Sequence, residues 1–163
     1  MDIVDFWKKQ VDLWNCENKC NFCWEFSAPL VSSQINIVQE ENSCCVQVFL
    51  TDLTFKENIV RNQSGLTTSH QCIDSFSLWC LKESPLGVNN YNEIKGHCIE
   101  ESNWNEIFKP IKECLSCGNI LDTCEILGKT NVNVDLTQGT MIYNYLDKAY
   151  SGWKINYTFT QII

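Results

Sequence analysis

From Trp153 to Ile163 the chain reads as one alternating strand. Trp153, Ile155, Tyr157 and Phe159 fall on one face of an extended strand, and Lys154, Asn156, Thr158 and Thr160 fall on the other. Such a strand is half-buried, so the fold must contain a sheet with an apolar layer against one side. Two helical stripes offer that layer. Asp2 is a predicted N-cap with Asp5 at N3, and Ile3, Phe6, Trp7, Val11 and Trp14 share one face of a helix over about residues 2–15. Further along, Ser102 caps a helix whose Trp104, Ile107, Phe108, Ile111 and Leu115 follow a helical repeat. Pro110 must kink that helix or restart it with proline in its first turn; Gly118 stops it, and Asn119 to Gly128 can form a short second helix.

Between these helices the pattern is extended. Trp24 to Val31, broken at Pro29, reads as a strand at a sheet edge. Ile35 to Val38 and Cys44 to Phe55 read as two more strands, the second long and central. Cys72 to Leu81 resumes with Phe76, Leu78 and Cys80 on one face, so Lys56 to His70 is expected to be the extended tip of a long hairpin. Val132, Val134 and Leu136 alternate again. The expectation is one α+β domain over residues 1–163: a mainly antiparallel sheet packed with an N-terminal helix and a central helix pair, without internal repeat or linker.

Charge narrows the partners. Twelve basic and twenty acidic side chains leave a net charge of −8, which argues against nucleic acid or an anionic membrane as the primary partner. Arg61 is the only arginine and so the only candidate for a bidentate guanidinium clamp; Arg-based catalysis is not expected. No apolar run approaches the roughly 18 residues of a membrane span, and the first ten residues lack the basic start and apolar centre of an export signal; an intracellular site of synthesis is expected.

The eleven cysteines are an odd set, and with no export signal they are expected to be reduced and mostly buried. Adjacent Cys44 and Cys45 suggest a strand covered on both sides, because successive side chains alternate faces. Metal chemistry rests on two CxxC pairs, Cys20 with Cys23 and Cys114 with Cys117, which together offer four thiolates for a structural zinc. Neither pair follows the strand-to-helix turn of a thioredoxin-like redox site. For catalysis the chain offers only His70 and His97, with Cys98 and His70 as the nearest thing to a nucleophile pair, and it has no Gly-rich phosphate loop, nucleophile elbow or HExxH. No catalytic set is expected.

Five phrases belong together: CNFCWEFSAPL from Cys20, CCVQVFLTDLTF from Cys44, GVNNYNEIKGH from Gly87, ECLSC from Glu113 and YSGWKINYTF from Tyr150. They resemble a group of small structural-gene products of tailed phages and prophages of Bacteroidota. The resemblance implies a virion protein made in the host cytoplasm, of the kind that forms neck or tail-terminator rings between head and tail. It brings no site residue and no cofactor. Its implied partners are copies of the same chain in a ring and other neck or tail proteins, with DNA at most passing through an acidic lumen that repels it. Two other readings compete with this one: an intracellular binding module stapled by zinc, and a small Cys-dependent enzyme.

Overall fold

Asp2 caps the first helix as its position requires: the side chain accepts a hydrogen bond from the Val4 amide at 2.9 Å. The helix it opens, α1 (Ile3–Glu17), closes on Asn18 in the left-handed conformation. In this computed structural model the described residues are 2–35, 45–83, 104–116, 120, 122, 124–125, 128, 132–143, 145 and 150–163. They form one α+β domain. Five strands follow α1: β1 (Trp24–Leu30), β2 (Val46–Arg61), β3 (Thr67–Glu83), β4 (Val132–Ile142) and β5 (Tyr150–Ile162). Before β4 lie a π-helical turn (Trp104–Phe108) and a short helix, α2 (Lys109–Cys114). No helix among the described residues is long and apolar enough to cross a membrane.

The sheet order is β1-β2-β3-β5-β4, antiparallel except for the β1–β2 pair, which is parallel. β1 lies at the edge, as Pro29 predicts, and its register slips between Ser27 and Leu30, around that proline. β2 is interior only as far as Thr51, where β1 ends. The predicted strand at Ile35 to Val38 falls almost wholly outside the described residues, as do Cys44, the Ser102 cap and half of Asn119 to Gly128, where the described Ile120, Asp122, Cys124 and Glu125 are helical.

One face of the sheet carries the main core. Trp153, Ile155, Tyr157 and Phe159 turn toward it, as their alternation predicts, and α1 lies across them: Phe6 meets Phe159 edge-on at 5.2 Å, and Trp7 meets Phe76 at 5.7 Å. α2 covers the same face, fixed by the Tyr157 hydroxyl donating to the Leu115 carbonyl at 2.9 Å and Trp153 Nε1 donating to the Phe108 carbonyl at 2.7 Å. Pro110 falls in the first turn of α2, so the helix restarts there. Proline has no N–H for the Glu106 carbonyl, which gives the preceding turn a reason to widen into the π form. The opposite face holds a smaller cluster of Ile35, Phe49, Trp79, Leu81 and Tyr150. There Trp79 Nε1 donates to Thr51 Oγ1 at 2.9 Å. Gly152 has no substitute, because a Cβ would overlap the Cys80 carbonyl oxygen of the neighbouring strand.

Asn15 joins α1 to β1 by imitating a strand. Its Nδ2 donates to the Trp24 carbonyl and its Oδ1 accepts from the Trp24 amide, both at 2.7 Å. Asn15→Ala leaves both backbone groups without that partner and is expected to cost about 1–2 kcal/mol, read as a lowered midpoint in chemical denaturation.

Candidate functional site

The long hairpin expected from the sequence is present, and its tip is paired strand over most of its length. β2 and β3 stay paired from Thr54 opposite Ser75 out to Arg61 opposite Thr67, so Lys56 to His70 is a two-stranded ribbon closed by a five-residue turn, 62–66. The turn is ordered by Asn62, whose Oδ1 accepts from the Ser64 and Leu66 amides, each at 3.0 Å, with Gly65 in the left-handed conformation. Alternation failed to mark these strands because both faces of the ribbon are exposed and neither needs to be apolar.

The ribbon is unusual in its surface. β1 covers the outer edge of β2 only to Thr51; from Asp52 to Arg61 no strand pairs with that edge among the described residues. Phe55 is 78% exposed, Leu66 67% and Val60 55%, with Ile59 also exposed. An open backbone edge beside exposed apolar side chains is a template for strand addition. The far side of the sheet offers a second, different edge: β4 pairs only with β5 among the described residues.

At the root of the ribbon, three chemically distinct side chains meet. Glu57 stands opposite Cys72 in the ladder and Ile59 opposite His70, which places Glu57, His70 and Cys72 on one face. Cys72 Sγ lies 3.8 Å from Glu57 Oε1, and His70 Nε2 lies 4.0 Å from Glu57 Oε2. The Cys72 thiol is pushed above its ordinary range, first by desolvation and then by the Glu57 carboxylate beside it. These residues can hold a metal ion. The sequence showed His70 and Cys72 two apart but gave no sign of Glu57, which reaches them only through the strand register.

The cysteines predicted as a zinc staple are brought together differently. Cys20 is disulfide-bonded to Cys114, with Cα atoms 6.5 Å apart, and Cys23 to Cys45, with Cα atoms 4.6 Å apart. The expectation of eleven reduced thiols is therefore corrected for these four. The two bonds use three of the four expected zinc ligands; Cys117 lies outside the described residues. The second bond follows from topology, since Trp24 pairs with Val46 across the parallel β1–β2 ladder and the preceding residues are Cys23 and Cys45. Buried thiols do occur: Cys80 and Cys124 lie in the core, and burial pushes the Cys80 thiol far above its ordinary value. Of the predicted nucleophile pair, His70 sits on the ribbon beside Glu57, whereas Cys98 lies outside the described residues together with His97.

No family model matches the chain, and no curated protein is similar to it.

Proposed function

We propose that this chain is a non-enzymatic structural subunit of a tailed-phage virion, and that its copies join head to tail into a neck or tail-terminator ring. The observation that carries the reading is the pair of unlike edges that the sheet leaves unpaired among the described residues. The ribbon edge of β2, Asp52 to Arg61, carries exposed Phe55, Ile59 and Val60, and β4 is the other border. When two different surfaces of one subunit meet, the contact is heterologous, and repetition closes a ring if the rotation allows. Strand addition of the β2 edge to a neighbouring copy satisfies the open backbone groups and covers the apolar side chains in one step. The net charge of −8 supports a surface that lets DNA pass without binding it. The two disulfides suit a particle that works after release from a reducing cytoplasm.

The test shortens the ribbon without touching the body. Ile59 and His70 face one another, so replacing Val60 to Ser69 by Asn-Gly, together with Phe55→Lys and Ile59→Lys, leaves a closed hairpin without the exposed apolar edge. The expected outcome is a folded monomer with an unchanged melting profile and no ring by sedimentation velocity or electron microscopy. Rings formed normally by this variant would overturn the proposal, as would a parent chain that stays monomeric in the presence of its neck and tail partners.

A further inference from the structure

We propose that Glu57, His70 and Cys72 form a binding site for a divalent transition metal of the zinc class, placed where the ribbon leaves the sheet. The ligand atoms of the three side chains all lie within 4.8 Å of one another. A tetrahedral zinc with bonds of about 2.0–2.3 Å holds its ligands about 3.3–3.8 Å apart. The observed separations, 3.8 Å from Cys72 Sγ to Glu57 Oε1 and 4.0 Å from His70 Nε2 to Glu57 Oε2, run to the two oxygens of one carboxylate, so side-chain rotation with the backbone in place brings the three donors to that spacing. The ligand chemistry is mixed carboxylate, imidazole and thiolate, which suits zinc or cobalt rather than calcium or magnesium, whose sites are built from oxygen.

The backbone is already set for the ion. His70 and Cys72 are alternate residues of β3, and Glu57 is held opposite Cys72 by the ladder, so no chain movement is needed to assemble the three. The His70 carbonyl accepts from the Ile163 amide at 3.0 Å, which stitches the site to the end of β5. His70 Nε2 has no hydrogen-bond partner among the described residues although the atom is screened from solvent, and a metal would give its lone pair one. On binding, the thiol proton leaves to solvent and an Sγ–metal bond replaces the contact between the thiol and Glu57. Three protein ligands leave the fourth position to water.

The location gives the ion a task. β5 pairs with β3 only from Gln71 inward, so beyond His70 the ribbon is two strands alone. A metal bridging β2 and β3 at that point clamps the root of the projecting arm. This inference is independent of assembly, because binding is read on the isolated chain.

The experiment titrates cobalt(II) and then zinc(II) into the purified, oxidised protein. Expected are one equivalent bound, a thiolate-to-cobalt charge-transfer band that zinc displaces, and slower amide exchange over residues 56–70. Cys72→Ser is expected to abolish the band, and His70→Gln and Glu57→Gln each to weaken zinc binding at least tenfold. Cys16→Ser, which removes an exposed thiol elsewhere, should leave binding unchanged. Because the three ligand side chains are partly or fully exposed, the variants are expected to keep the parent's circular dichroism melt. A band that survives Cys72→Ser, zinc binding unaffected by the His70 and Glu57 variants, or no binding by the parent would overturn the assignment.

Discussion

Removing the Cys20–Cys114 bond is expected to lower the stability of the folded chain by about 4–5 kcal/mol, because it releases a loop with a sequence separation of 94 residues in the unfolded ensemble. The Cys23–Cys45 bond closes a separation of 22 and is expected to contribute about 3 kcal/mol. The larger effect is best measured with Cys20→Ser. Cys20 is exposed, so its replacement disturbs no packing, and the Cys114 thiol left behind is a small buried group that the core tolerates. A urea midpoint equal to that of the parent would show that the bond does not stabilise the fold. A chemical readout is independent of that one: under denaturing alkylation without reductant, Cys20, Cys23, Cys45 and Cys114 stay unmodified, and all four react once reductant is added. Full alkylation before reduction would return these cysteines to the free-thiol state.

Local signals in the sequence were legible wherever one residue type had one physical reason to be there. Asp2 could be read as a cap, the stripe from Ile3 to Trp14 as a buried face, Pro29 as an edge, and the alternation from Trp153 to Phe159 as a strand with one covered side; each has its counterpart in the structure. What escaped was set by register. The outer halves of β2 and β3 carry Lys56, Glu57, Asn58, Arg61, Thr67 and Ser69 with both faces open, so the ladder there leaves no apolar period. Glu57 is 13 residues from His70 in the chain and meets it only because the turn at 62–66 fixes which residues face one another. The disulfides escaped for the same reason. Parity argues about a population of cysteines, whereas the parallel pairing of Trp24 with Val46 acts on two particular ones. Pro110 allowed either a kink or a restart, and the structure has the restart; an apolar stripe cannot tell a π turn from an α turn when both deliver Ile107 and Phe108 to the core.

That junction makes Phe108 the side chain whose loss should be felt most within the core. It is fully buried at the point where the π turn passes into α2. Its ring stacks on Trp104 at 6.2 Å and on Tyr143 at 6.4 Å, and it meets Trp153 edge-on at 6.1 Å, so one side chain joins the helical layer to β5 and to the end of β4. Phe108→Ala removes these contacts and opens a cavity whose walls are held by other bonds. The Trp153 indole is fixed by its hydrogen bond to the Phe108 backbone carbonyl, which the substitution keeps, and Lys112 Nζ sits 5.6 Å over the same indole. Walls that cannot collapse make the cavity cost more, and a loss of about 3–5 kcal/mol is expected. For a chain of this length that corresponds to a fall on the order of 10 °C in Tm. Phe108→Leu fills most of the space and is expected to cost less than about 1.5 kcal/mol. The contrast between the two variants is the measurement that matters. Equal, small losses would mean that the ring does not anchor this layer; an unchanged melt for Phe108→Ala combined with failed ring formation would place the stripe at a subunit contact and move the helical layer from the core to the surface.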